Sequence, residues 1–118
     1  MRVSKRKINS TLETRLVKTL VQAICDFKDK EETEIFLKDF FTEIELATFS
    51  KRLAIAYWLR NKRSYENIVE NLKVSSATVG QVKEILDKKG IKLALKKIEA
   101  EEWADKWSGR IRKYVVLK

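Results

Sequence analysis

Between residues 64 and 83, the chain has the apolar spacing of two short helices joined by a tight turn. The first helix is predicted over Tyr65–Leu72, and its inward-facing residues are Ile68, Val69 and Leu72. The second is predicted to begin at Ser75 or Ser76, because either hydroxyl can accept the free N–H groups at a helix start. Its inward-facing residues are Val79, Val82, Ile85 and Leu86. The pattern is typical of a helix-turn-helix motif, which we place at residues 64–86.

The first turn of the second predicted helix carries small polar side chains on its exposed face. Small residues let the backbone approach base edges in the major groove of DNA, where Thr and Gln form hydrogen bonds and methyl groups contact thymine. The candidates for base-edge contact are Ser76, Ala77, Thr78, Gly80, Gln81 and Lys83. The alternative is that any two packed helices with a polar connection show this pattern.

The distribution of charge favours the DNA-binding interpretation. The chain has 26 basic and 17 acidic residues and a net charge of +9, which favours nucleic acid or an acidic surface as partner. Residues 48–65 contain five cations and no acid, and this run leads directly into the motif. With one lysine from the turn, the candidates for phosphate contact are Lys51, Arg52, Arg60, Lys62, Arg63 and Lys73. The alternative is a solvated, lysine-rich surface.

The rest of the chain predicts an all-α fold. Proline is absent and glycine occurs only 3 times, so helix breakers and hairpin turns are scarce. Capping boxes that begin at Ser10 and Thr42 predict the starts of the first and third helices. The second helix is predicted to begin at Asp29 or Lys30.

The third predicted helix is apolar on more than one face and therefore needs more than one neighbour to cover it. Its apolar residues are Leu46, Phe49, Leu53, Ile55, Ala56, Trp58 and Leu59. In a chain this small the natural cover is a second copy, so we interpret the first three helices as the core of a homodimer. The alternative is a monomeric bundle that uses the C-terminal helix as its lid.

Both ends of the chain are basic. Residues 1–9 are interpreted as an N-terminal arm, residues 10–90 as the helical domain, and residues 91–118 as an amphipathic helix and a basic tail. The C-terminal helix is predicted from Ile91 to Trp107, with Trp103 and Trp107 packed in a core, and Ser108-Gly109 is predicted to end it. Residues 110–118 are compatible with a short strand, a phosphate-binding tail or an arm that packs on the dimer partner.

The sequence has few of the side chains and motifs on which enzyme catalysis depends. Histidine is absent, the single cysteine provides no metal-ligand cluster, and no glycine-rich phosphate loop occurs. We therefore expect no catalytic activity, metal or cofactor. Cys25 falls at an apolar helical position, which predicts a small core residue in a reducing cytoplasm. No stretch approaches the roughly 18–20 apolar residues that span a bilayer, so no membrane partner is expected.

Several short motifs resemble the tryptophan-repressor family, in particular its YerC/YecD-like branch. They lie between residues 36 and 86 and are Phe40-Phe-Thr-Glu-Ile-Glu45, Lys51-Arg52-Leu53, Ser64-Tyr65 and Ala77-Thr78-Val79. The resemblance implies an intertwined helical homodimer whose two motifs enter successive major grooves. It also implies a bacterial, cytoplasmic transcriptional regulator on a pseudo-palindromic operator.

The sequence departs from the repressors where their corepressor tryptophan binds. In the family the indole lies between an arginine before the motif, matched by Arg52, and an arginine-glycine pair that falls here on Gln81 and Val82. Arg52 and Gln81 are thus the positions where an effector would bind, but the covering arginine and the glycine that makes room are missing. These replacements argue against tryptophan as corepressor and leave another effector open. The family's turn glycine is replaced by Lys73, which is strained by roughly 1 kcal/mol if its φ is positive. The alternative is a different turn, in which Lys73 faces phosphate.

Three interpretations compete. The leading one is a sequence-specific regulator, most simply a repressor, that binds double-stranded DNA as a homodimer. The second is a protein-interaction adaptor that uses the same helix-turn-helix surface, against which the lack of bulky apolar residues on that surface counts. The third is a non-specific nucleic-acid-binding protein, which is disfavoured because the basic residues are clustered.

Overall fold

The computed structural model describes the backbone of residues 6–116 and the side chains of residues 6–102. Within this part of the chain, six helices and no strand are found, which confirms the all-α prediction. They are α1 (Ser10–Cys25), α2 (Lys30–Phe40), α3 (Glu43–Arg60), α4 (Tyr65–Leu72), α5 (Ser76–Ile85) and α6 (Lys89–Val116). Among the described residues, no helix is long and apolar enough to cross a membrane. The start of the predicted N-terminal arm, and the side chains of Trp103 and Trp107, lie outside the described residues.

The chain divides into two compact units, residues 1–46 and residues 47–118. In the first unit, α1 is capped by Asn9, whose Oδ1 accepts hydrogen bonds from the N–H groups of Thr11 (2.8 Å) and Leu12 (3.4 Å). The predicted cap at Ser10 was wrong, because an asparagine one residue earlier already satisfies the free N–H groups and Ser10 is itself helical. Asp29 caps α2 by accepting a hydrogen bond from the N–H of Glu32 (3.0 Å), and the helix begins at Lys30, the second of the two starts considered.

Aromatic rings connect α2 to the turn that precedes it. The ring centroids of Phe27 and Phe36 lie 5.1 Å apart, those of Phe36 and Phe40 lie 4.9 Å apart, and Phe41 continues the series at 5.4 Å from Phe40. Such pairs contribute about 0.5–1.5 kcal/mol beyond their buried area. The series thus runs along α2 from the turn before the helix to its C-cap residue, Phe41.

Helix α1 has no buried residue, although its apolar side chains fall on one stripe. These side chains are between 40% and 58% exposed: Leu12, Leu16, Val17, Leu20, Val21 and Ile24. Cys25 is also exposed, so its predicted place in a core was wrong for the single chain. The apolar spacing correctly identified the stripe, but spacing does not reveal which surface covers it.

The predicted capping box at the start of α3 is confirmed. The N–H of Glu45 donates to Oγ1 of Thr42 (3.1 Å), and the N–H of Thr42 donates to Oε1 of Glu45 (2.9 Å). The hydrogen bond from the Thr42 backbone stabilises the ionised carboxylate and lowers the pKa of Glu45. Both ends of the reciprocal pair are thus satisfied within four residues.

The second unit is built around six side chains that are at most 2% exposed. They come from four helices: Ile55 and Ala56 from α3, Ile68 from α4, Val79 and Val82 from α5, and Leu95 from α6. Full burial of a valine, leucine or isoleucine side chain contributes about 1.5–3 kcal/mol. The two helices of the predicted motif are therefore held against α3 and α6 by a shared apolar core.

Helix α6 is longer than predicted. It begins at Lys89 and continues to Val116 through Ser108 and Gly109, so the predicted end at that pair was wrong, as was the short strand considered for the tail. A glycine inside a helix costs about 1 kcal/mol relative to alanine. The sequence has no proline to break the helix, and the helix-forming residues on both sides of Gly109 offset this cost.

Candidate nucleic-acid interface

Helices α4 and α5 form the predicted helix-turn-helix motif. Ser64 caps α4 by accepting a hydrogen bond from the N–H of Asn67 (3.1 Å). Ser75 caps α5 by accepting one from the N–H of Thr78 (3.1 Å), so the cap is the first of the two serines considered. The turn between the helices contains Lys73 in the left-handed conformation, with φ 56° and ψ 51°. The strained alternative predicted for this lysine is therefore the one observed.

The core and the candidate reading face share helix α5. Val79 and Val82 point into the core and are 0% and 2% exposed. Of the candidates for base-edge contact, Ser76, Ala77, Gln81 and Lys83 are exposed, and Thr78 and Gly80 are half-buried. The same helix thus fixes its backbone with one face and presents small polar groups on the other.

Two of these candidates have local surroundings that the sequence did not predict. The hydroxyl of Thr78 lies 2.9 Å from that of Ser75, which orients it at the start of α5. A Cβ atom added to Gly80 would have no neighbour within 4 Å, so no packing constraint within the described residues requires glycine there. Space is left in front of α5 at this point.

Three of the candidates for phosphate contact line one cavity in the second unit. Lys51 and Arg52 reach it from α3, and Lys73 reaches it from the turn. The cavity has a volume of ≈ 560 Å³, and its remaining lining residues are Thr48, Ile55, Val74, Thr78, Gln81 and Val82. The structure therefore brings together cations and polar groups from α3, the turn and α5. None of the residues that line this cavity is an acid.

The two positions considered for an effector lie in this same cavity. Arg52 and Gln81 both line it, and so does Val82, which is also part of the core. Val82 contributes a branched aliphatic side chain to the wall of the cavity. Cationic and polar side chains thus line the cavity together with three apolar ones, from Ile55, Val74 and Val82.

The other three phosphate candidates lie at the end of α3. Nε of Arg60 lies 3.1 Å from Oε1 of Glu99 in α6, and both side chains are about 40% exposed. The acid-free run around Arg60 gave no sign of this pair, because its partner lies 39 residues later, at position 99. Arg63 is stacked on Trp58, with Cζ 4.0 Å from the ring centroid, and Lys62 has a φ of 67°.

A second cation, from α5, lies over an aromatic ring at the start of α4. Nζ of Lys83 lies 5.7 Å from the ring centroid of Tyr65, near the limit of about 6 Å for such an interaction. Neither aromatic residue was among the predicted site residues. Their signal in the sequence is weak, because a tryptophan or tyrosine at a helix end is most often explained by core packing.

A capped, polar helix next to clustered cations in an all-α unit is typical of one class of protein, the helix-turn-helix DNA-binding regulators. Residues 15–98 match the family described as Trp repressor protein, and the chain belongs to this family. The predicted resemblance is thereby confirmed.

Two relatives support the assignment. "Uncharacterized protein YerC" of Bacillus subtilis (strain 168) is 34% identical over 68 residues, which is 58% of this chain and 65% of that protein. The match thus spans slightly less than two thirds of the relative. The crystal structure of a TrpR-like protein from Eubacterium eligens ATCC 27750 is similar with a TM-score of 0.69 and 32% identity, covering 77% of this chain and 96% of the other.

Proposed function

We propose that two copies of this chain form a dimer that binds a pseudo-palindromic DNA operator and represses transcription. The observation that carries this proposal is the division of α5 into a buried face and an exposed face of small polar groups. A helix held in this way can be inserted into a major groove without rearrangement of its backbone. Half-sites about one helical turn apart would follow from the two-fold symmetry.

In this proposal the candidate residues have two roles. Ser76, Ala77, Thr78, Gly80, Gln81 and Lys83 contact base edges and so select the sequence. Lys51, Arg52, Lys62, Arg63 and Lys73 contact phosphates and so set affinity and register. Arg60 joins the second group only when its ion pair with Glu99 opens, so we expect its contribution to be the smallest.

The dimer is proposed from the uncovered stripe of α1. Six large apolar side chains on one helix are at least 40% exposed, and monomeric proteins rarely expose so continuous an apolar surface. A second copy of the chain offers the same stripe and can cover it by two-fold symmetry. Such a dimer would also provide the second reading helix that a palindromic operator requires.

We further propose that tryptophan is not required for DNA binding. Val82 is 2% exposed and belongs to the core, so removing it to admit an indole would open the packing around Ile55 and Val79. Position 81 carries glutamine, whose neutral amide cannot provide the stacked cation that the family uses. The reading face is therefore formed without a corepressor.

In vitro selection from a random duplex library tests the proposal. Purified protein is used at physiological salt, with and without tryptophan, and the Gln81→Ala variant is selected in parallel. We expect a two-fold symmetric motif that does not depend on tryptophan, and a relaxed preference at one position of each half-site for the variant. Failure to enrich any motif, together with binding that is lost as salt rises, would instead indicate a non-specific nucleic-acid-binding protein. Absence of any DNA binding would favour the protein adaptor.

A further inference from the structure

The turn that leads from α3 into the motif has the geometry of a Schellman cap. The N–H of Lys62 donates to the carbonyl of Leu59 (3.0 Å), and the N–H of Arg63 donates to the carbonyl of Trp58 (3.1 Å). Lys62 occupies the left-handed position between these two bonds, with φ 67°. This pattern folds the chain back on the last turn of the helix, so that residue 63 lies beside residue 58.

Side-chain contacts add to the backbone hydrogen bonds of this turn. In Schellman caps the two residues brought together frequently make an apolar contact. Here the guanidinium of Arg63 lies over the indole of Trp58, with Cζ 4.0 Å from the ring centroid. Its Nη1 also donates a hydrogen bond to Oδ1 of Asn67 in the first turn of α4 (3.2 Å). The guanidinium is thus held by a ring on one side and by an amide oxygen at one edge.

The ring itself has little freedom. Trp58 is half-buried and packs against the six-residue core of the second unit. Arg63 and Asn67 are exposed. The arrangement therefore holds a planar cation with five N–H donors at the surface, supported from beneath by a residue that the core anchors.

Such an arrangement matters because long cationic side chains lose rotamer freedom when they bind. That loss weakens binding by roughly 2- to 12-fold for each side chain immobilised at an interface. An arginine that is already stacked has lost most of this freedom before a ligand arrives. Its planar edge also matches two oxygens of one phosphate, which a lysine cannot contact in the same way.

We propose that Trp58 and Asn67 are positioning residues that hold the guanidinium of Arg63 ready to bind one phosphate of the DNA backbone. The inference rests on the proposed function, since it assigns a task to residues that border the reading motif. Trp58 does not contact DNA in this proposal. It acts through Arg63.

A double-mutant cycle tests the inference. Binding of a fluorescently labelled duplex of random sequence is measured, because a phosphate contact acts on every sequence. Arg63→Lys keeps the charge but loses the planar fork, and we expect it to weaken binding about 5-fold. Trp58→Leu should weaken binding by a similar factor, and the two changes together should be hardly worse than either alone. Trp58→Phe keeps a ring and should recover most of the affinity.

Two further variants separate positioning from damage to the fold. Asn67→Ala removes the amide contact at an exposed site outside the core, and we expect its effect to be absent in the Arg63→Lys background. Lys51→Gln removes a charge elsewhere, so its effect should multiply with that of Trp58→Leu. All variants are compared well below their unfolding temperatures.

Each outcome of the cycle has a distinct meaning. If the effects of Trp58→Leu and Arg63→Lys multiply, and Asn67→Ala also acts independently of Arg63, the positioning role is refuted while DNA binding stands. If the wild-type protein does not bind the duplex at all, the proposed function fails and the inference fails with it. Non-additive effects within the cycle, combined with a multiplicative effect of Lys51→Gln, would establish the role.

Discussion

Replacing Gly80 by alanine should stabilise the protein and weaken its binding to DNA. The glycine lies inside α5, its φ is not positive, and a Cβ atom added there has no neighbour within 4 Å. Alanine therefore fits the free protein without strain. The open space in front of Gly80 is, in the proposed function, where the edge of a base pair comes close to the helix.

The size of the stabilisation follows from helix propensity. Alanine is favoured over glycine in a helix interior by about 0.8–1.0 kcal/mol. Unfolding of 118 residues carries an entropy of about 0.25 kcal/mol/K, at roughly 2.1 cal/mol/K per residue. The melting temperature should consequently rise by about 3–4 °C at a fixed protein concentration.

The loss of affinity has a different origin. An added methyl group in a closely packed interface costs about 1–3 kcal/mol, which corresponds to roughly 5- to 150-fold in the dissociation constant. Thermal unfolding followed by circular dichroism measures the first effect, and fluorescence anisotropy with the selected operator measures the second. Gly90→Ala is the matched control, because a Cβ atom at Gly90 is equally unhindered but lies in the first turn of α6.

The two measurements refute different parts of the reasoning. A melting temperature that does not rise would contradict the open surroundings of Gly80. A rise accompanied by unchanged operator affinity would show that the backbone of α5 does not approach DNA at this point. Loss of affinity in the Gly90→Ala control as well would attribute the effect to α6 instead of to the reading face.

Three further predictions concern the turns and caps. Lys73→Gly should raise the free energy of unfolding by about 1 kcal/mol in a denaturant titration, because it relieves a left-handed lysine; an unchanged or lower value would contradict the strain. Lys62→Gln combined with Arg63→Gln should reduce the slope of log affinity against log salt by about 2 for each subunit; an unchanged slope would remove both residues from the interface. The capping box lowers the pKa of Glu45, so its ionised carboxylate stabilises the fold at pH values above the ordinary glutamate pKa. This stabilisation is lost as the pH falls through the lowered pKa. Acid titrations of Glu45→Gln should therefore show a shallower loss of stability than those of the wild-type protein, and parallel curves would argue against the capping box.

Local features of this fold were predictable because they depend on neighbours in the sequence. The limits of α4 at Tyr65 and Leu72 were predicted from apolar spacing, and the structure adds the serine cap at Ser64. The cap of α1 was misplaced by one residue because Asn9 and Ser10 can both accept the same N–H groups, and only the backbone conformation decides between them. The end of α6 was misplaced because Ser-Gly is a weak stop signal when no proline follows it.

Features that join distant parts of the chain were not predictable in the same way. The ion pair of Arg60 with Glu99 depends on how α6 packs, and neither residue indicates the other in the sequence. The stacking of Arg63 on Trp58 depends on a left-handed residue between them, which a lysine at position 62 does not suggest. The candidate site was therefore predicted by its residue types, while the contacts that orient those residues came from the structure.

Burial of Leu95 has a consequence for transplanting the motif. This side chain is 1% exposed and completes the core under α4 and α5, yet it lies beyond residue 86, where the motif ends. A segment of residues 64–86 grafted onto another scaffold would lack both this residue and Ile55, and its reading helix would lose the packing that fixes its axis. The transferable unit thus includes at least the segment from Ile55 in α3 to Leu95 in α6. In the proposed function, exchange of the exposed residues of α5 within that unit is the route by which operator preference can change while the fold is kept.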